Sequence, residues 1–302
     1  MNKNRIGYIY VLLAAFFFAL IAVIGKTVMN TGINIFDLLI LQNTAAILFM
    51  LAYFAVVDIK KLYLDRTRLK TILIQGLVGS AGTTILFYLA LQRMSAGIAS
   101  MLLFTHPVLV CLYFMATKTK KITITSNLAL LAAFLGSIMV VNVFNIDVTK
   151  TPLAGLGFGI MSSAAYAFYN IYADVKLKDF EPLVTTFYTT ITLLAVTLIL
   201  RPGFFRFEFA MTTELLLYVC ELAVVSGILP VIFLYKGINR VGADRASIVA
   251  TSELPITILM SFFVLGERMG PVQLAGILLI MCSIAILQYE GVFEKLFKGA
   301  AQ

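Results

Sequence analysis

Charged side chains are scarce in this chain. Only 13% of its 302 residues are Asp, Glu, Lys or Arg, against 61% hydrophobic residues and a mean hydropathy of +0.99. A soluble domain carries about 25% charged residues, so a soluble fold is excluded and a polytopic membrane protein remains. Cysteine is sparse as well: Cys111, Cys220 and Cys282 all fall inside apolar runs with no CxxC spacing. That excludes a disulfide framework or a zinc site built on cysteine. No Walker motif, HExxH or GxSxG occurs, and no single helix carries a cluster of carboxylates. ATP-driven transport and intramembrane hydrolysis therefore find no support, and the chain is expected to be no enzyme and to need no cofactor or metal. The net charge of +8 comes from short loops between apolar runs. Without a long basic patch, nucleic acid is not an expected partner.

What is present is a succession of apolar segments. Ten can be drawn at the length that crosses a ~30 Å hydrocarbon core, over approximately 7–29, 35–57, 70–92, 96–117, 126–145, 153–173, 182–200, 214–236, 244–265 and 271–290. The first follows Lys3 and Arg5 in the manner of a signal peptide, but it is as long as a full span and has a counterpart later in the chain, so it is read as a retained helix. Helix is the state that satisfies its backbone within lipid. Assigned to alternate sides, Lys and Arg divide 17 to 6. The richer side holds both termini, which places them in the cytoplasm. A multi-pass protein of the cell membrane follows.

The sequence also nearly repeats itself. From Tyr88 it reads YLALQRMSAGIASMLLFTHP, ending at Pro107, and from Tyr235 it reads YKGINRVGADRASIVATSELP, ending at Pro255. Tyr88 and Tyr235, Arg93 and Arg240, and Ser100 and Ser247 coincide at a shift of 147, and one insertion moves the proline to 148. Gly7 and Gly155 open helices that match weakly. The halves, 1–148 and 149–302, meet at the polar linker Asn145–Pro152. Five spans in each is an odd number, so the second half is expected upside down relative to the first. The expected fold is an all-α integral membrane protein of ten transmembrane helices in two inverted five-helix repeats.

On these residues the chain resembles the drug/metabolite transporter superfamily, of the EamA type with two five-helix repeats, over roughly 7–290. The carriers are the Ala-x-x-Ala-Ser segment followed by a proline in each half, and Gly266-Glu267 after the ninth span. One departure stands out: the first half has Lys118-Thr119 where the second has Gly266-Glu267. The resemblance implies export of amino acids or related metabolites.

An ionisable group at the bilayer centre costs ~2.5–3.5 kcal/mol on insertion scales, so each needs a reason. His106, the single histidine, and Glu253 lie near the middle of matched spans, His106 directly before Pro107 and Glu253 two residues before Pro255. Pro107 and Pro255 deprive the carbonyls of Leu103 and Thr251 of their helical donors, leaving acceptors that a polar ligand can use. His106 and Glu253 are accordingly candidates for substrate binding or coupling, the alternative being an interhelical hydrogen bond of ~0.6 kcal/mol. Two ligands do not make a metal site. Tyr166 shares a helix face with Tyr169–Asn170 and is deep enough to touch a ligand. Gln75 and Glu221 place a polar group at similar depth in the two halves, and either can face a cavity. Asp37 and Asp174 lie near helix ends and are expected to be surface groups. Glu267 is expected at the outer mouth beside Arg268, as a cap or gate pair. Small residues mark close helix approach at Gly76, Gly79 and Gly82, at Gly155 and Gly159, and at Ala15, Ala19 and Ala22.

These features point to a secondary transporter, an exporter of a small polar metabolite such as an amino acid, working by alternating access. Its partners are the substrate, the bilayer and protons as a candidate coupling ion, the protein being a monomer or homodimer. The rival readings are a nucleotide-sugar or sugar-phosphate carrier, disfavoured because no Lys or Arg lies deep in a span, and a facilitative channel-like pore.

Overall fold

A computed structural model describes residues 3–29, 33–120, 122–142, 152–206, 210–266 and 268–289. The fold is all helix among these residues, as lipid demands of a chain that cannot leave backbone groups unpaired. Its α-helices are α1 (Lys3–Met29), α2 (Ile35–Val57), α3 (Arg66–Ile74), α4 (Gly82–Leu91), α5 (Ala96–Leu103), α6 (His106–Thr117), α7 (Ile124–Val141), α8 (Leu153–Lys176), α9 (Pro182–Leu200), α10 (Thr213–Leu222), α11 (Leu229–Val241), α12 (Ala243–Ala250), α13 (Glu253–Leu265) and α14 (Pro271–Gln288). Among the described residues, eight helical stretches are long and apolar enough to cross a membrane: α2, α3–α4, α5–α6, α7, α9, α10–α11, α12–α13 and α14. α1 packs among them against α11, α12 and α13, and α8 against α4, α5 and α6.

The helix ends follow from local chemistry. Side chains of Asn34, Ser95, Thr123 and Thr212 accept the free N–H groups that open α2, α5, α7 and α10. Pro182 and Pro271 stand at the first position of α9 and α14, where a missing donor does no harm. α6 and α13 stop at matched left-handed residues, Lys118 with φ 52° and Gly266 with φ 68°. The departure seen in the sequence is thus a change of residue at a shared backbone conformation. Glu267 and residues 145–151 of the linker lie outside the described residues.

Four of the apolar stretches are not single regular helices. Wide π-type turns interrupt two of them, Gln75–Ala81 between α3 and α4 and Ala223–Ile228 between α10 and α11. The other two break ahead of their prolines, between α5 and α6 and between α12 and α13. The helix starts obey the repeat. α5 opens at Ala96 and α12 at Ala243, α6 at His106 and α13 at Glu253. α7 opens at Ile124 and α14 at Pro271, α2 at Ile35 and α9 at Pro182. Every pair is separated by the same shift that aligns Tyr88 with Tyr235. Contacts obey it too. α1 packs on α11, α12 and α13 as α8 packs on α4, α5 and α6, while α2 faces α9 and α7 lies along α14. Arg240 sits over the ring of Tyr10, 4.6 Å from its centre, and Arg93 sits over Phe158 at 4.9 Å. These cation–π pairs join equivalent positions of the two halves.

The small residues do what their spacing promises. A methyl on Gly76 would meet Thr192, one on Gly79 would meet the backbone of Tyr169, and one on Gly82 would meet Ala165. They press the first π-type turn and α4 onto α8 and α9. Gly159 accommodates Leu102 of α5, and Ala15 and Ala19 are buried.

Candidate functional site

The two broken stretches deliver His106 and Glu253 as the first residues of α6 and α13. His106 is completely buried. Its Nδ1 lies 3.1 Å from the carbonyl oxygen of Leu103. Since a carbonyl only accepts, Nδ1 carries the proton and Nε2 presents a lone pair. The freed carbonyl is therefore taken by the histidine itself, and that of Thr251 by the N–H of Leu254 at 3.1 Å. The expectation that both stay open for a ligand is corrected: each break heals its own backbone locally. What is left open is on side chains. Nε2 of His106 has no hydrogen-bond partner, nor do the buried Oε1 of Gln75, Oδ1 of Asn170 and Oγ of Ser252. Buried polar groups of native proteins nearly always find a partner, so each of these atoms asks for one.

Tyr166, on α8, binds the constellation together. Its ring lies 4.2 Å from that of His106 and 5.9 Å from that of Tyr169. Glu253, the first residue of α13, is partly exposed where its neighbours Leu254 and Pro255 are buried. Tyr169 stacks on Tyr235 at 5.4 Å. Nε2 of Gln75 donates to the Tyr169 carbonyl at 3.0 Å and to the Tyr235 hydroxyl at 3.2 Å. Thr105, just before the break, shares a 2.7 Å hydrogen bond with Ser163 of α8.

The structure thus brings His106 and Tyr166 together, with Gln75 joined through Tyr169, while Glu253 stands at the equivalent break of the other half. Glu221 stands apart, exposed on α10 beside Tyr218. Tyr235 and Thr105 were missed as site members. Tyr235 carried a signal, as an anchor of the repeat, but its ring stacking on Tyr169 is a long-range contact that no local pattern reveals.

Asp37 and Asp174 are not surface groups. Both are 2% exposed, because each has a partner far away in sequence. Arg201, at the end of α9, grips Asp37 with Nε at 2.9 Å and Nη2 at 3.0 Å. Asp174 Oδ2 accepts from Lys120 and from the Ala243 N–H at 3.0 Å, and its Oδ1 is ion-paired with the Lys178 ammonium at 2.9 Å. Burial pushes its carboxyl up, but the Ala243 N–H and the two ammonium groups outweigh that and hold it below the usual carboxylate range.

The family model of the EamA-like transporter family matches this chain twice, over residues 5–142 and 153–289. The chain belongs to that family. The two matches fall on the two halves whose helices and breaks correspond. Among relatives of this EamA-like chain, an uncharacterised inner membrane transporter of Salmonella typhimurium, YicL, is 23% identical over 295 residues, covering 96% of this chain and 97% of the relative. An uncharacterised transporter of Bacillus subtilis, YcbK, is 25% identical over 199 residues, 64% of this chain and 63% of its own length. A solved crystal structure overlays with a TM-score of 0.78 at 13% identity, over 94% of this chain and 96% of the other. That likeness is one of fold alone. As a member of a transporter family, the chain has as its general task the movement of small molecules across a membrane.

Proposed function

We propose that this EamA-like protein is a secondary transporter of the cell membrane that exports a small polar or zwitterionic metabolite, an amino acid or a relative of one. It works by alternating access between two inverted repeats of five helices, 1–148 and 149–302. The observation that carries the reading is the placement of His106 and Glu253 at matched breaks in the two halves, with Tyr166 packed on the His106 ring. An ionisable group with no function would be costly there. Corresponding helix boundaries, breaks and packing partners in the two halves support the repeat, and an odd number of spans in each would invert it.

These groups suit a ligand with a cationic or donor group. Glu253, the Nε2 of His106, and the oxygens of Gln75 and Asn170 all accept, while tyrosine rings offer flat apolar and cation-binding faces. No Lys or Arg lies deep in a span to hold a phosphate, which disfavours a nucleotide-sugar or sugar-phosphate carrier. Glu253 is the proposed proton carrier, exchanging its proton as the site faces each side of the membrane in turn.

The test begins with purified protein and a metabolite library, scoring thermal stabilisation. The hit is then followed in proteoliposomes under a pH gradient. Glu253→Gln should retain abundance and Tm but lose gradient-driven accumulation. Full gradient-driven transport by that variant would exclude Glu253 as the proton carrier, and an absence of any stabilising metabolite or flux would count against the transporter reading itself.

A further inference from the structure

Equivalent elements of the two halves are buried to different extents. In α12 and the turn after it, nine of the ten residues from Ala243 to Ser252 are buried, Arg245 being half-buried. In the equivalent stretch, from Ala96 to Thr105, only Ile98, Ala99 and Phe104 are buried. Ser247 is fully buried while its counterpart Ser100 is partly exposed. Two copies of one unit thus lie in unlike surroundings, α12 enclosed by its neighbours where α5 is partly exposed.

At the end where α12 begins sits an ion cluster that the repeat does not reproduce among the described residues; the ion pair at the other end, Arg201 with Asp37, joins α9 to α2 instead. Lys120, in the loop after α6, reaches Asp174 at the end of α8 and Asp244 in the first turn of α12, the latter at 2.7 Å. It also lies 4.4 Å from the centre of the Phe114 ring. Three segments from both halves are thereby joined through one ammonium. The carboxylate partners are largely sheltered, their side chains 1% and 11% exposed. The surface pair Lys61–Glu181, at 39% and 41%, is screened far more by water.

The backbone is shaped for the cluster. Gly242, between α11 and α12, has φ +85°, a conformation that residues with a Cβ rarely adopt. A methyl there would collide with the Lys120 ammonium and come within 2.7 Å of Asp244 Oδ1. The equivalent position in the first half is Ser95, which serves as an ordinary helix cap. Arg93, nearby, bonds its own helix at Leu89 and faces Phe158. Among the described residues, then, the cluster breaks the repeat pattern and belongs to one end.

We infer that Lys120, Asp174 and Asp244, seated on Gly242, form the cytoplasmic gate of the transporter, holding α12 closed in a conformation whose other end is open. The inference rests on the transporter reading and on the cytoplasmic placement of the 118–121 loop. Release of Lys120 would free α12 to take the exposure that α5 has here, while α5 becomes buried in its turn. Each carboxylate keeps a second donor when Lys120 leaves or can reach water at the membrane surface, so opening does not strand a charge in lipid.

The test uses full-length protein in membrane vesicles of either orientation, with the three native cysteines replaced and a single reporter, Ser100→Cys or Ser247→Cys. With the gate intact, a charged maleimide should label position 100 from the extracellular side and position 247 only slowly from the cytoplasmic side. Lys120→Ala should speed labelling at 247 by about tenfold and slow it at 100. Gly242→Ala, which removes no charge, should act in the same direction, and Lys61→Ala should change neither rate. An unchanged rate at 247 in both gate variants would overturn the proposal. So would faster labelling at both positions, which signals general loosening rather than gating. The readout needs no substrate, so a failed gate is distinguishable from a failed transporter assignment, which shows instead as no solute flux.

Discussion

The two ring nitrogens of His106 have different duties. Nδ1 closes the break ahead of Pro107 by donating to Leu103, and Nε2 is left as a buried acceptor. His106→Asn keeps an N–H near the Leu103 carbonyl while deleting Nε2. It should weaken binding of the transported metabolite by about tenfold, or ~1.4 kcal/mol, with little change in Tm. Unaltered affinity with a lowered Tm, measured by calorimetry and thermal shift, would reduce His106 to a packing group. Asp174 gives a pH prediction. Its carboxyl is held below the usual range. It therefore stabilises the fold fully above the unfolded-state value of about 4 and loses that contribution as pH falls through its lower folded value. Thermal stability should decline at acid pH in the parent protein, and part of that decline should vanish in Asp174→Asn.

Among the helices, the interruptions are more informative than the regular stretches. A π-type turn or a proline break in a span needs a reason, since regular helix satisfies every internal backbone group, and such turns gather at functional sites. Here they place Gln75, His106 and Glu253 at element boundaries rather than within regular helices. Other contacts are simple packing. α7 and α14 approach so closely that a methyl on Gly276 would stand 2.7 Å from both the Gly136 oxygen and the Val140 nitrogen. Those atoms are backbone and cannot rotate away. Gly276→Leu should therefore destabilise the protein by ~1–3 kcal/mol or more through overpacking, read as a lower Tm in detergent. Gly157→Ala, with open space around it, should be neutral.

Orientation and symmetry are the quantities to measure on the intact transporter. A cysteine at Lys150 should react with an impermeant reagent from outside intact cells, and one at Lys60 only after permeabilisation. The reverse pattern would turn the molecule over and move the Lys120 cluster to the outer face. The exchange of partners between α1 and α8, with their respective helices, fits a two-fold relation, and an odd number of spans in each half predicts that the halves superpose by a half-turn about an axis in the membrane plane. An axis along the membrane normal would sink the inverted repeat.

Class, family and the eight long apolar stretches were already legible in the order of the amino acids. Hydropathy over some twenty residues reports whether a segment can leave water, and that is a local property. The doubled Ala-Ser-to-proline segment announced the breaks, and the cost of a charge in lipid singled out His106 and Glu253. What each group does with its neighbours came from the packing of the helices. Leu103 and Thr251 were expected to offer free carbonyls, but the local backbone and the His106 ring had closed them. Asp37 and Asp174 read as surface groups because they stand at helix ends, and only the fold brings Arg201 across 164 residues and Lys120 across 54 to bury them. Pairing at such separations depends on how helices are arranged around one another, and no window of sequence contains it. The unequal burial of α5 and α12 belongs to the same class: similar segments differ in exposure because their neighbours in the folded molecule enclose one more than the other.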